Sequence, residues 1–242
     1  MDRTTLTKTF IALTALTAIA STVYTGVASH TLHASYALAV LVLAAATSRM
    51  KVKLPGIDGN MSVNLPFLLM AVVSLSAVEA IVIACVSTTV QCWPKPQAKF
   101  KPGQMVFNVS MMAFATSVAN LVWNAGWFAK ATWPTEPLML ALTTAAFFFG
   151  QTVPVAAIIN LAEGASLPRT WLSIAQMSFP YFVLSAGVTS MMSVVSHRFG
   201  WQAALVVFPV MFGVHRSYRM YFGKVMQALS TPALAKAASA RA

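Results

Sequence analysis

Long apolar segments with almost no charge follow one another along the whole sequence. The stretches 64–92 and 137–161 together contain a single charged residue, Glu79. An α-helix needs about 20 predominantly apolar residues to cross a bilayer, whereas a membrane β-barrel is built from short segments of alternating polarity. The segments therefore predict an all-α fold, a polytopic transmembrane helical bundle.

The composition excludes two other classes of protein. Of the 242 residues, 58% are hydrophobic and only 9% are charged. A soluble domain carries about 25% charged residues, and a disordered chain is poor in apolar ones. This chain has too few polar side chains to cover a water-exposed surface, so a soluble globular enzyme and a disordered protein are both excluded.

About seven to eight spans are predicted from the apolar segments, with boundaries good to a few residues. They are Phe10–Ser29, Ala34–Ser48, 64–75, 78–92, Gly103–Gly126, Pro137–Leu161, Thr170–Val195 and Trp201–Val214. The first is preferred as an uncleaved helix over a signal peptide, because its apolar character continues beyond Ala20. Residues 1–214 are expected to form one transmembrane domain, and 215–242 a cytoplasmic juxtamembrane tail.

The run 64–92 is too long for one ordinary span. Ser74, Ser76 and Glu79 interrupt it, so we predict a hairpin of two short helices. A hairpin that crosses the membrane twice and one that re-enters from a single side both return the chain to the same side. The sequence leaves these two alternatives open.

The positions of Lys and Arg predict that both termini face the cytoplasm. With the hairpin, fourteen of the sixteen basic residues lie on that side, and only Lys130 and Arg198 lie outside. If 64–92 crossed the membrane only once, seven basic residues would lie inside and nine outside. Because inner-membrane proteins keep Lys and Arg in cytoplasmic loops, we expect a multi-pass protein of the bacterial inner membrane. The same rule accounts for the net charge of +11 without nucleic acid, and the lipid bilayer is the expected partner.

The sequence carries no enzyme signature. It has no phosphate loop, no nucleotide-binding glycine fingerprint and no nucleophile elbow, and its predicted spans hold no pair of ionisable groups for acid–base work. We therefore predict a protein that is not an enzyme, with no catalytic residue and no cofactor. Glu79 either reaches interfacial water or serves in a cavity as a proton- or cation-sensitive ligand-binding group.

Three histidines on the predicted outer side are the candidates for a metal site. They are His30, His33 and His197. Imidazole groups bind Zn²⁺ and titrate near neutral pH. Nothing in the sequence brings the two loops together, so the preferred interpretation is interfacial histidines without a metal.

Four side-chain amides lie within predicted spans and are the other candidates for ligand binding. They are Asn120, Asn124, Gln151 and Gln176. Pro154 and Pro180 lie close to the two glutamines, and a proline inside a helix frees a carbonyl that another group must satisfy. The amides either make interhelical hydrogen bonds at these kinks or line a polar cavity for a small neutral ligand.

Three stretches, taken in order, carry a resemblance to a known family. They are LPGIDGNMSVN at 54–64, FNVSMMAFA at 107–115 and HRSYRMYFGK at 215–224. Together they resemble the membrane-embedded N-terminal sensory region of bacterial signalling proteins with HD-GYP or GGDEF output domains, over residues 35–225. In that family the last span leads through a YR-x-Y-type helix into a cytoplasmic domain that handles cyclic dinucleotides.

The resemblance implies a coupling role for Tyr218, Arg219 and Tyr221, which match the YR-x-Y pattern. The HD and GGDEF residues do not occur in this sequence, so the enzymatic activity of the family is not implied. A broader likeness is to the substrate-binding subunits of vitamin uptake systems, which are also small helical membrane proteins.

Two functional hypotheses follow. The first is a non-catalytic sensory or regulatory module that couples the bilayer or a small ligand to a cytoplasmic signalling partner, or acts as a homodimer. The alternative is a small-solute transporter or substrate-binding membrane subunit, because broken helices commonly mark transport sites. A membrane enzyme and a structural or assembly factor are the less favoured hypotheses.

Overall fold

The structure, a computed structural model, describes residues 3–27, 34–53, 60–94, 100–126, 135–199, 202, 205–221 and 223. In these residues the chain is helical apart from one short β-ribbon, which confirms the predicted all-α class. The helices are α1 (Arg3–Val27), α2 (Ala34–Ser48), α3 (Leu65–Ser74), α4 (Ala77–Cys92), α5 (Pro102–Trp123), α6 (Glu136–Glu163), α7 (Leu167–Phe199) and α8 (205–221). The strands β1 (Lys51–Lys53) and β2 (Asn60–Ser62) pair antiparallel between α2 and α3.

Four of the described helices are long and apolar enough to cross a bilayer. The qualifying segments are Arg3–Gly26, Pro102–Trp123, Glu136–Glu163 and Leu167–Val195, in α1, α5, α6 and α7. Helices α2, α3 and α4 are apolar but have only 15, 10 and 16 residues. At a rise of about 1.5 Å per residue, α3 covers roughly 15 Å, half of a 30 Å hydrocarbon core. The chain is therefore a membrane protein with several apolar helices.

The run 64–92 forms two helices, α3 and α4, as the polar interruption predicted. Leu75 is extended with φ −120° and ψ 168°, which ends α3, and Ser76 caps the start of α4. The Ser62 hydroxyl lies 3.0 Å from Oε1 of Gln91. Since Ser62 precedes α3 and Gln91 lies in the last turn of α4, the two helices run antiparallel.

Helix α3 lies at the centre of the bundle. Its first eight residues, from Leu65 to Val72, are all buried. A helix that is apolar on every face needs protein or lipid on every side, and α3 contacts α2, α4, α5 and α7. The short helix is thus enclosed by longer ones; its polar start lies inside the protein, whereas Ser74 at its end is exposed.

Contacts between helix termini show which termini lie together at each end of the bundle. Phe10 of α1 and Phe107 of α5 lie with ring centroids 6.1 Å apart, and the Asn108 amide lies 3.3 Å from Sγ of Cys92 at the end of α4. We call this the basic end, since it also holds Arg3, Lys8, Lys51, Lys101 and Arg169. The opposite end, called the far end, holds the α3–α4 turn and the Glu136–Ser193 hydrogen bond of 2.6 Å.

Candidate functional site

The start of α3 is held by two side chains from α7. The backbone N–H of Leu65 donates to the Tyr181 hydroxyl at 3.3 Å, and the Thr189 hydroxyl lies 3.3 Å from the carbonyl oxygen of Pro66. The first N–H groups of any helix lack partners within the helix, and a buried one is costly unless it is paired. Tyr181, which is only 2% exposed, therefore satisfies a group that no water reaches.

Polar side chains from the β-ribbon and α4 continue this arrangement. The Asn64 amide lies 3.4 Å from Oγ of Ser87, and the Ser62 hydroxyl lies 2.7 Å from Oδ1 of Asn64. The backbone carbonyl of Asn64 accepts the N–H groups of Phe67 and Leu68. The start of α3 is thus surrounded by a network of hydrogen-bonding groups that all belong to this chain.

Helix α8 packs against the bundle through one narrow stripe. Val207 and Met211 are buried, and Val214 and Tyr218 pack against the same core. The spacing of four, three and four residues places these side chains on one face of a helix. The neighbouring residues Leu205, Val206, Phe208, Val210 and Phe212 are exposed, which suits a helix with lipid on its other sides.

Tyr218 of this stripe meets Tyr181. Their rings lie edge to face, with centroids 6.4 Å apart and planes at 76°, a favourable aromatic geometry. Of the residues assigned a coupling role from the sequence, Tyr218 therefore faces the bundle, whereas Arg219 and Tyr221 are exposed. Tyr181 was not identified from the sequence. A tyrosine inside an apolar span needs a hydrogen-bond partner for its hydroxyl, and this requirement could have indicated it.

His215 lies one turn before Arg219 and just beyond the last predicted span. Its Nδ1 is buried and has no hydrogen-bond partner among the described residues. His215 thus places an unpaired buried nitrogen beside the contact of α8 with the bundle.

The two asparagines lie together at the far end of α5. Asn120 is buried, and its amide lies 3.5 Å from the carbonyl oxygen of Val72 near the end of α3. The exposed Asn124 donates to the Asn120 carbonyl at 2.9 Å. This is the interhelical hydrogen bonding predicted as one of the two roles of these amides, here between α5 and α3.

The two glutamines lie elsewhere. Nε2 of Gln151 lies 3.6 Å from Sδ of Met112, eight residues before Asn120 and so about 12 Å away along α5. Gln176 is exposed on α7. The four amides predicted as ligand-binding residues therefore do not form one site.

Glu79 has a structural role in the hairpin. Its carboxylate accepts the backbone N–H of Ser76 at 3.0 Å and the Ser76 hydroxyl at 2.7 Å, while the Glu79 N–H donates to that hydroxyl oxygen at 3.3 Å. This reciprocal capping box satisfies the donors at the start of α4. The charged group also lies at the positive end of the helix dipole.

The metal-site hypothesis involves residues that the structure does not describe. His30 and His33 lie outside the described residues, as does the side chain of His197. Within the described residues, no group of three or more His, Cys, Asp and Glu side chains is placed to hold a metal ion. Cys85 and Cys92 are both free thiols.

Three buried threonine hydroxyls on α5 and α6 have no hydrogen-bond partner in the described part of the chain. They belong to Thr116, Thr143 and Thr144. Other buried threonines, such as Thr47 and Thr152, donate to the carbonyl four residues earlier. A buried hydroxyl without a partner is unfavourable, so each of the three marks a position in α5 or α6 where a hydrogen bond is missing.

Comparisons with protein-family models, curated proteins and solved structures find no match for this chain.

Proposed function

We propose that this chain is a non-catalytic sensory or regulatory module of the bacterial inner membrane. In this proposal it couples the bilayer or a small ligand to a cytoplasmic partner. The observation that carries it is the path from the Leu65 N–H through the Tyr181 hydroxyl to the ring of Tyr218. This path links the central helix α3 to α8, the last described helix.

The physical basis is that a buried hydrogen bond and an aromatic contact share one side chain. If α3 shifts away from α7, the Leu65 N–H loses its acceptor and Tyr181 is free to change rotamer. A new Tyr181 rotamer no longer supports the ring of Tyr218 and so releases the α8 stripe. The exposed Arg219 and Tyr221 then change their position relative to the bundle, which a partner can recognise.

The proposed topology has seven to eight passages with both termini in the cytoplasm. Support comes from the basic end, where Arg3, Lys8, Lys51, Lys101 and Arg169 lie on one side of the bundle. The antiparallel α3–α4 hairpin returns the chain to that end, as this count of passages requires. At about 15 Å, α3 is too short to span the hydrocarbon core by itself, but the hairpin returns the chain to the same end whether it crosses twice or re-enters.

Site-specific photocrosslinking in cells tests the coupling. A photoreactive amino acid at position 219 or 221 is expected to give a discrete adduct with a cytoplasmic protein. The same probe at Leu138, an exposed residue at the far end, is the control and should give none. Absence of any adduct at 219 and 221 would overturn the proposal.

Two variants test the path itself. Tyr218→Ala and Tyr181→Phe should each reduce the adduct severalfold, because one removes the ring contact and the other the hydroxyl. Tyr24→Ala, which changes a tyrosine that is 71% exposed on α1, should leave the adduct unchanged. An adduct equally strong in all three variants would show that the partner does not depend on the path.

A second candidate is the binding of a small neutral solute, as in a transporter or substrate-binding subunit. It is favoured by buried hydroxyls without a partner, such as those of the adjacent Thr143 and Thr144, since a solute beside them would supply the missing hydrogen bonds. Native mass spectrometry of the protein in a mild detergent tests it. A retained non-lipid molecule that is lost in Thr143→Val supports this function, and its absence from the folded wild-type protein counts against it.

A further inference from the structure

We propose that a groove between α4 and the start of α5 binds one anionic phospholipid. An acyl chain lies along the groove, and the phosphate lies at Lys101. The proposal rests on the shape of the groove, on the position of its walls in a membrane-spanning helix and on the charge at one end. It is independent of the coupling path through Tyr181.

The groove has a volume of about 330 Å³ and mostly apolar walls. Thr89 of α4 lines one side, Val106 and Val109 of α5 line the other, and Phe100 lines the end where α5 begins. Phe100 and Val106 are 52% and 49% exposed. A chain of methylene groups in the groove would contact protein on several sides, so it gains more dispersion energy than on a flat helix surface.

The surroundings of the groove determine the class of occupant. Helix α5 is one of the four candidate spans, so the medium beside Val106 and Val109 is lipid hydrocarbon. Cα of Val109 lies about 10 Å along the helix from that of Pro102. The groove therefore runs from the start of the span into the hydrocarbon region, as one acyl chain of a phospholipid does.

Positive charge at the end of the groove where α5 begins makes the preferred headgroup anionic. Lys101 is exposed at the N-cap of α5, and no side chain caps this helix. The start of a helix carries a partial positive charge that attracts phosphate. Lys8 of α1 lies at the same end, because Ile11, less than one turn further on, approaches Gly103. An anionic headgroup would be held by Lys101, and Lys8 adds positive charge at the same end of the bundle.

Native mass spectrometry of the full chain tests the site. The protein is purified in a mild detergent and then incubated with phosphatidylglycerol or with phosphatidylcholine of the same acyl chains. One molecule of phosphatidylglycerol should be retained under conditions that remove phosphatidylcholine. Equal retention of the two lipids, or retention of neither, would overturn the proposal.

Two substitutions separate the headgroup from the acyl chain. Lys101→Gln should weaken retention of phosphatidylglycerol about fivefold, the effect of one Lys at an anionic surface. Val106→Trp fills the groove and should abolish the retained lipid. Leu121→Trp, at an exposed position on the far end of the same helix, is the matched control and should retain it. If Val106→Trp is poorly folded, Lys101→Gln decides alone, since it changes no buried side chain.

Two other outcomes would contradict the proposal directly. Retention by Val106→Trp equal to that of Leu121→Trp would place the lipid elsewhere on the surface. A dimer in the wild-type spectrum that Val106→Trp converts to monomer would show that a second copy of the chain, and not a lipid, occupies the groove.

Discussion

The guanidinium of Arg3 packs directly over the backbone of Gly164. A Cβ atom at Gly164 would lie 2.7 Å from Nη1 of Arg3, and Gly164 has a left-handed φ of 73° at the end of α6. The contact joins the first described residue of α1 to the turn between α6 and α7. It also places a positive charge at the C-terminus of α6, where the helix dipole is negative.

Gly164→Ala is expected to lower the stability of the protein. The left-handed conformation costs an alanine about 1–2 kcal/mol, and the new methyl group displaces Arg3. The measurement is the thermal midpoint of unfolding in a mild detergent. Gly187→Ala is the matched control, because nothing lies within 4 Å of its Cβ position in α7 and alanine favours a helix. Equal losses in the two variants would contradict this account.

Tyr181→Phe is expected to destabilise the protein by about 1–3 kcal/mol, the cost of a buried polar group left without a partner. The aromatic ring remains, so the loss of stability measures the contribution of the hydroxyl group, which accepts the Leu65 N–H. Thermal unfolding in detergent measures it, with Tyr24→Phe on the exposed face of α1 as control. A midpoint equal to that of wild type would mean that another group satisfies the Leu65 N–H.

Ser76→Ala is expected to lower stability by about 1 kcal/mol through loss of the cap on α4. Glu79→Gln should have a smaller effect, because glutamine also completes a capping box. Thermal midpoints of the two variants against wild type give the comparison. A larger loss of stability in Glu79→Gln than in Ser76→Ala would show that the negative charge of Glu79 matters more than its place in the capping box.

Several features of the fold were predictable because they depend on local sequence. The helical class follows from long apolar runs with few charges, and the α3–α4 break follows from Ser74, Ser76 and Glu79. The capping box was itself encoded locally, since Ser76 and Glu79 have the spacing of that motif. Such features need no knowledge of which helices are neighbours.

The candidate site could not be predicted in the same way. Asn120 was identified, but its partner, the carbonyl of Val72, is a backbone group 48 residues away. Gln151 and Gln176 are amides of the same kind, yet they lie apart from Asn120. Residue type indicates that a partner is needed, and only the packing of the helices decides which partner it is.

The sequence by itself determined that this chain is a helical membrane protein with a broken segment at 64–92, because hydropathy and helix capping act over a few turns. The tertiary structure alone decided that α3 is enclosed at the centre and that its first N–H meets Tyr181, 116 residues later. The contact of Tyr181 with Tyr218 was decided in the same way. The physical reason is that the hydrophobic effect is non-directional. It does not specify which helices become neighbours, so their arrangement depends on the packing of the whole bundle.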